Sequence, residues 1–215
     1  MDAEVAAAHA PNLQWEMELE LLIDAIFRKY HYDFRGYAPV SLRRRLKTAM
    51  NRFECHDLSQ LRDRVVHDPA TFPALLDFLT VQVSDMFRDP EYFLALRARV
   101  VPLLRTYPSL KVWVAGCSAG EEAYSLAILL HEEGLLSKTL IYATDINTRM
   151  LQKATAGVYE VERIAGFTAN HHRSGAHTSL SDYYSAAHGR AVFSKSLKDH
   201  IVFADHCLAT DAVFA

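Results

Sequence analysis

Residues 111–130 read KVWVAGCSAGEEAYSLAILL, and this stretch decides the fold. A short apolar run with β-branched and aromatic side chains, at 112–116, predicts a buried strand. Gly116 and Gly120 then permit tight backbone turns, and apolar residues resume at helical spacing to predict a helix over 119–133. A strand, a glycine turn and a helix in this order direct backbone N–H groups toward an anionic or polar ligand.

The composition of the 215-residue chain suits one or two globular domains, because half of its residues are apolar. A formal net charge of −3 gives no reason to expect nucleic-acid binding. Its cysteines form no CxxC pair, which argues against a disulfide framework or a zinc knuckle and favours a reducing cytoplasm. Neither a signal peptide nor an apolar run near the ~20 residues of a membrane-spanning helix is recognised, so no membrane insertion is expected.

Several histidines raise the question of a metal. His171, His172 and His177 lie in a stretch rich in Asn, His, Arg, Ser and Gly. That composition is more typical of a mobile loop than of a ligand set, so no metal is expected.

Residues 13–80 predict a small all-helical domain. Apolar residues follow helical spacing from Leu13 to Tyr30, Ser41 is a candidate N-cap for the next helix, and Asp57 is a candidate N-cap for a third. The second helix carries basic side chains around its apolar stripe: Arg43, Arg44, Arg45 and Lys47. This basic face is either a solvated helix surface or a docking surface for an acidic protein.

The rest of the chain predicts a linker and connecting helix at 81–108, then an α/β domain at 109–215. Asp89-Pro90 begins the connecting helix, since proline suits the first helical position. Strands predicted at 112–116, 140–144 and 201–204 alternate with helices, which is typical of a parallel, doubly wound, Rossmann-like sheet. Residues 158–197 predict short strands and loops in a small antiparallel insertion.

Candidate ligand-binding residues follow the predicted strands. In a doubly wound sheet the ligand lies beyond the carboxyl ends of the strands, where Gly116 to Gly120, Asp145 and Asp205-His206 are expected. An acidic residue after the second strand, here Asp145, commonly binds ribose hydroxyls, so the pattern indicates an adenosine-type cofactor. The alternative is structural, with the glycines needed for packing and Asp145 capping a helix.

The glycine turn also resembles a hydrolase motif. Ser118 stands where the dinucleotide fingerprint G-x-G-x-x-G requires its second glycine, which argues against NAD or FAD. The same residues fit G-x-S-x-G, with Ser118 as the nucleophile of an α/β-hydrolase and His206 as a downstream base. That alternative is the weaker one, because only predicted helices precede the turn and Asp205 is adjacent to His206.

Residues 114–127, VAGCSAGEEAYSLA, closely resemble the cofactor loop of the chemotaxis receptor methyltransferases (CheR), which are S-adenosylmethionine-dependent protein-glutamate O-methyltransferases. Residues 143–147, ATDIN, resemble the second motif of that family. Residues 79–90 resemble the segment that joins its two domains, and residues 41–46, SLRRRL, resemble its basic helix. The similarity extends from about residue 16 to residue 215.

The resemblance implies methyl transfer from S-adenosylmethionine to glutamate side chains of a receptor, leaving S-adenosylhomocysteine. It implies ligands near the methionine end of the cofactor, in its glycine loop, at its ribose and at its adenine: Gln82, Ser84, Arg88, Gly116, Ser118, Gly120, one of Glu121 and Glu122, Asp145, Cys207 and Leu208. Arg88 is the candidate catalytic residue, which orients carboxylates, unless it forms only a structural salt bridge. The basic helix would meet an acidic helical region of the receptor, and the insertion matches a subdomain that some members use to tether a receptor tail.

Three departures from the family pattern leave a second hypothesis open. Gln82 and Cys207 each stand where the family usually has Asn. The chain also ends just after the third core strand, which predicts an unpaired strand edge carrying Val112 and Val114 and open to pairing with another chain. The second hypothesis is therefore a truncated, non-catalytic protein-binding module that acts through its helical domain, and cofactor binding distinguishes the two.

Overall fold

The computed structural model describes residues 13–80 and 84–211. Contacts divide these residues into two compact units, one formed by 13–80 with 207–211 and the other by 84–206.

The first unit contains helices whose apolar stripes face one another. They are α1 (Leu13–Tyr30), α2 (Pro39–Arg52), α3 (Leu58–His67) and α4 (Thr71–Leu79). The predicted cap of α3 is confirmed, since the side chain of Asp57 accepts a hydrogen bond from Gln60 N at 2.8 Å. The predicted cap of α2 at Ser41 is wrong: the helix begins at Pro39, whose fixed φ and missing N–H suit a first helical turn.

The second unit is built from alternating helices and strands. Its helices are α5 (Pro90–Ala95), a π-helical turn (Leu96–Val100), α6 (Val101–Leu104), α7 (Glu121–Glu132), α8 (Thr148–Ala156), α9 (Val161–Arg173) and α10 (Lys195–Lys198). Two 3-10 turns, Leu136–Lys138 and Leu180–Tyr183, lie between them. Its strands are β1 (Leu110–Ala115), β2 (Thr139–Asp145), β3 (Val158–Glu160), β4 (Tyr184–Ala187), β5 (Arg190–Phe193) and β6 (Ile201–Asp205).

The predicted parallel sheet is confirmed, with strand order β1-β2-β6. Its register aligns Ala115 with Thr144 and Asp145 with Asp205, so the carboxyl ends of the strands meet at one edge. Within the described part of the chain β1 pairs only with β2, and Trp113 on this edge strand is 40% exposed. The expected open edge of β1 is therefore present among the described residues.

The insertion differs from its prediction in one element. Its three strands form an antiparallel sheet in the order β3-β5-β4, as expected. Between them, however, α9 replaces the predicted loop around His171 and His172. Ile164, Phe167 and His171 recur on one face of α9 and are buried, so a helix forms despite the polar composition.

None of the helices in residues 13–80 and 84–211 combines the length and the apolar character that crossing a bilayer requires.

Candidate functional site

The glycine turn joins β1 to α7 and folds back onto the end of β2. Gly116 N and Cys117 N both donate to Thr144 O at 2.8 Å. Gly116 has φ +76°, and a Cβ built at this position would have no heavy atom within 4 Å. The backbone of Gly116 therefore borders open space, as a surface that closely contacts a ligand would.

Asp145 fixes this turn from the end of β2. Its Oδ2 accepts a hydrogen bond from Ser118 N at 2.7 Å, and its Oδ1 accepts one from Asn147 N at 2.9 Å. Ser118 has φ +50°, a conformation that this bond helps to hold. Each carboxylate oxygen retains a further acceptor site, so Asp145 can organise the turn and still accept from ligand hydroxyls.

Gly120 has a packing role. Its φ is +91°, and a Cβ there would lie 2.9 Å from the Cβ of Ala154 on α8. Glycine thus allows the first turn of α7 to approach α8 more closely than any other residue would. The two glycines of the turn differ, since Gly116 faces open space and Gly120 faces a neighbouring helix.

The paired carboxylates at the start of α7 have different environments. Glu121 is 2% exposed, whereas Glu122 is exposed and borders a groove beside β1 that Trp113 also lines. Glu121 Oε1 accepts from Arg163 Nη1 at 2.8 Å, while Oε2 is buried without a hydrogen-bond partner among the described residues. The geometry therefore favours Glu121 as the ligand-binding member of the pair.

A cavity of about 740 Å³ lies beside Glu121 within the second unit. Two predicted site residues, Ser84 and Glu121, line it together with residues of α8, α9 and the insertion sheet. Its charged lining residues have both signs: Asp85, Glu121, Lys153, Glu160, Arg163 and Arg190. A polar, zwitterionic group fits such a lining better than a purely apolar one.

Two residues of the insertion contact the glycine turn or the first residue of α7, and neither was predicted. Tyr159 OH donates to Ala119 O at 2.8 Å, and Arg163 contacts Glu121 as described above. No sequence signal identifies them, because the contacts span 40 and 42 residues of chain.

Arg88 lies in a segment that buried neighbouring residues hold in place. Met86 and Phe87 are fully buried, and Phe87 N donates to Ser125 Oγ at 2.8 Å. Phe87 and Asp89, on either side of Arg88, have φ of +50° and +56°, and left-handed non-glycine residues of this kind concentrate at functional sites. The Arg88 side chain is 60% exposed, with its Nε 3.9 Å from Asp89 Oδ2.

The remaining predicted residues fall into two groups. Gln82 lies outside the described residues. Cys207 and Leu208 follow β6 and belong to the other compact unit, in a turn where Cys207 N donates to Asp211 Oδ2 at 2.8 Å and Leu208 is 62% exposed.

The basic face of α2 divides into two pairs. Arg43 forms an ion pair with Glu16, and Arg45 Nη1 donates to Leu79 O at 2.5 Å. Arg44 and Lys47 are exposed. Half of the predicted docking face therefore also takes part in contacts within the helical unit.

The geometry does not support the hydrolase alternative. Ser118 Oγ is buried without a hydrogen-bond partner in residues 13–80 and 84–211, whereas a serine nucleophile needs a base in contact. The ring of His206 packs edge-on against Trp113, with centroids 5.6 Å apart.

The thiol of Cys117, next to Ser118, is not a nucleophile either. Burial, reinforced by Asp145, raises the pKa of the Cys117 thiol to about 12, so this thiol stays protonated.

A parallel sheet with a glycine turn and an acidic residue after its second strand defines a domain that binds an adenosine-type cofactor. Comparison with models of protein families narrows this class of domains to one family. Residues 17–80 match the CheR methyltransferase all-alpha domain, and residues 82–214 match the CheR methyltransferase SAM-binding domain. The chain therefore belongs to the CheR family of S-adenosylmethionine-dependent methyltransferases.

Individual relatives agree with the family match. A Pseudomonas putida protein named "Putative methyltransferase Cher3" is 52% identical over 93% of this chain and 73% of its own length. A chemotaxis protein methyltransferase of Vibrio parahaemolyticus is 33% identical over 55% of this chain, and one of Listeria innocua is 26% identical over 66%. The matches cover 46% and 55% of these two proteins, so the chain spans about half the length of its relatives named for chemotaxis.

Proposed function

We propose that this protein transfers a methyl group from S-adenosylmethionine to glutamate side chains of a chemoreceptor or a related signalling protein. The observation that carries the proposal is the bond from Ser118 N to Asp145 Oδ2, which joins the glycine turn to the end of β2 beside the open space at Gly116. This arrangement occurs in a chain whose residues 82–214 match a SAM-binding domain.

The residues present fit the cofactor. Asp145 would accept from the ribose hydroxyls, and the backbone at Gly116 would lie against the nucleoside. Two buried polar atoms without partners in the described structure, Ser118 Oγ and Glu121 Oε2, can bind its polar groups. By resemblance, Gln82 and Ser84 would lie toward the methionine end, and Cys207 and Leu208 toward the adenine.

The chemistry requires little from the protein beyond positioning. When bound, the cofactor supplies an electrophilic methyl group on a sulfonium. The glutamate that accepts the methyl group is already ionised at pH 7, so no strong general base is needed. Arg88 would orient this carboxylate, because a guanidinium holds a carboxylate in a fixed plane and its segment is anchored by two buried residues.

The substrate would dock through the basic face of α2. Arg44 and Lys47, both exposed, are the residues of that face that we expect to meet acidic side chains of a helical receptor region. Such a receptor region is cytoplasmic, which is where we expect this protein to act. Its cysteines are free, in keeping with a reducing compartment.

The test is methyl transfer from tritium-labelled S-adenosylmethionine to a purified cytoplasmic fragment of a chemoreceptor. Because a methyl ester is labile to base, the proposed product releases volatile labelled methanol at high pH. We expect transfer with the wild-type chain and a large loss with the Arg44→Glu, Lys47→Glu double variant. A folded chain that binds neither S-adenosylhomocysteine nor S-adenosylmethionine would instead support the non-catalytic binding module.

A further inference from the structure

The inserted β-α-β segment is connected to the cofactor loop by two side chains. We propose that Arg163 and Tyr159 are positioning residues that hold Glu121 and Ala119 of the loop in their cofactor-binding arrangement, an inference that rests on the proposed function. The carboxylate of Glu121 would then bind a donor group of the cofactor through Oε2.

Arg163 joins two separate parts of the site. Its Nη1 donates to Glu121 Oε1 at 2.8 Å, while its Nη2 donates to Ser84 O at 2.6 Å and to Asp85 Oδ1 at 3.0 Å. The guanidinium also lies 4.8 Å from the ring centroid of Phe167, one turn further along α9. A planar fork that is stacked on one side and bonded at both terminal nitrogens has little freedom to move.

Tyr159 holds the residue that precedes Gly120. Its hydroxyl donates to Ala119 O at 2.8 Å, and the side chain is 5% exposed. Burial raises the pKa of Tyr159 well above its usual range, so the hydroxyl keeps its proton and remains a donor. A buried tyrosine hydroxyl whose bond is made to a loop carbonyl fixes the path of that loop.

The unsatisfied oxygen of Glu121 distinguishes positioning from a purely structural ion pair. Leaving a charged oxygen buried without a partner costs stability, so a carboxylate retained only for structure would be bonded on both sides. Arg163 occupies one oxygen and leaves Oε2, in a residue that lines the cavity, with acceptor capacity. The ligand chemistry that matches is an ammonium or hydroxyl donor, both of which the cofactor carries.

Calorimetric titration of S-adenosylhomocysteine into the intact chain tests this inference. We expect Arg163→Met to bind about tenfold more weakly than the wild type, as the loss of one charge-assisted bond predicts. Arg163→Lys, which keeps the charge without the fork, should recover part of that loss. Tyr159→Phe, which removes only the hydroxyl, should weaken binding about three- to tenfold.

The matched control is Arg173→Met on the same helix. Arg173 pairs with Glu91 at 2.5 Å on an exposed surface and lines no part of the cavity, so its loss should leave affinity unchanged. The coupling between Glu121 and Arg163 in a double-mutant cycle provides a measurement of affinity that a purely structural role of Arg163 would not change. In a Glu121→Gln background, Arg163→Met should cause little further loss of affinity, because both changes act through the same carboxylate.

The outcomes are distinguishable. If the wild-type chain does not bind S-adenosylhomocysteine, both the proposed function and this inference fail. If the wild type binds and Arg163→Met binds equally well, only the inference fails. If Arg163→Met does not fold, wild-type affinity in both Arg163→Lys and Tyr159→Phe would overturn the inference instead.

Discussion

The two ends of α7 each carry a buried glutamate, but only one of them is fully bonded. Glu132 at the C-terminal end accepts hydrogen bonds from Thr178 Oγ1 at 2.6 Å and His171 Nε2 at 3.1 Å, and it pairs with Arg97. Glu121 at the N-terminal end has one oxygen bonded to Arg163 and the other without a partner in the described structure. We call the end with Glu132, whose two carboxylate oxygens are both bonded, the saturated end, and the end with Glu121 the unsaturated end. The saturated end stabilises the fold, and the unsaturated end retains an acceptor oxygen for a ligand.

The electrostatics of Glu132 agree with a structural role. Its side chain is fully buried, and burial alone would raise its pKa. The bonds from His171, Thr178 and Arg97 outweigh burial and lower the pKa from 4.5 to about 2. Glu132 thereby attaches α9 and the loop that follows it to the core helix.

The largest expected effect comes from the saturated end. Glu132→Ala leaves Arg97 buried and without one of its carboxylates, so the free energy of unfolding should fall by about 3 to 5 kcal/mol. Urea denaturation followed by circular dichroism measures this. Glu122→Ala, an exposed change in the same helix, is the control and should stay within about 0.5 kcal/mol of the wild type. A loss below about 1 kcal/mol in Glu132→Ala would remove the contrast between the two ends.

The same carboxylate predicts an acid dependence. Because the folded-state pKa of Glu132 is depressed to about 2 from 4.5, its contribution to stability is present above pH 4.5 and is lost as the pH falls toward 2. The shift corresponds to about 3 kcal/mol of stability across that window. Denaturation midpoints measured between pH 7 and pH 2 should decline less steeply in Glu132→Gln than in the wild type. Parallel declines in the two proteins would contradict the assignment.

Asp145 combines features of both glutamates, since each of its oxygens accepts one backbone bond and keeps further acceptor capacity. Asp145→Asn retains the shape but removes the charge and one acceptor oxygen. We expect affinity for S-adenosylhomocysteine to fall about ten- to hundredfold, the range for losing one or two bonds to a charged group. Equilibrium dialysis measures this, and thermal unfolding reports the cost to the fold. Wild-type affinity with a large stability loss would make Asp145 a structural cap.

A small effect on stability is expected from Glu121, the buried glutamate at the N-terminal end of α7. Glu121→Gln removes a charge whose Oε2 makes no bond in the described structure, and Arg163 keeps its contacts to Ser84 and Asp85. Replacing the buried charge by a neutral amide removes its desolvation cost together with part of the bond to Arg163, so stability should change by less than about 1 kcal/mol. Affinity for S-adenosylhomocysteine should fall about tenfold. If stability falls as far as in Glu132→Ala while affinity is kept, the two ends of α7 have the same role.

Local sequence signals predicted the core of the second unit. The apolar run of β1 and the two glycines depend on neighbouring residues, and the structure has each of them where expected. The same holds in the first unit for the cap of α3, where Asp57 accepts from Gln60 N three positions later. Capping and turn chemistry are readable because the groups involved are a few positions apart.

Contacts between residues that are distant in the sequence could not be predicted from it in the same way. The polar neighbours of His171 predict a mobile loop, whereas its burial depends on Glu132, 39 positions earlier. The choice between Glu121 and Glu122 depends on which of the two side chains α7 turns toward Arg163. The sequence pattern alone does not determine this. Likewise, the sequence leaves the basic face of α2 open between a solvated surface and a docking surface, because the contacts of Arg43 with Glu16 and of Arg45 with Leu79 O join distant residues.

The most direct measurement is a crystal structure of the chain with S-adenosylhomocysteine bound. The account predicts ribose hydroxyls within hydrogen-bond distance of Asp145, the nucleoside against Gly116, and a donor group of the ligand on Glu121 Oε2. A ligand bound elsewhere, with Asp145 bonded only to Ser118 and Asn147, would contradict it.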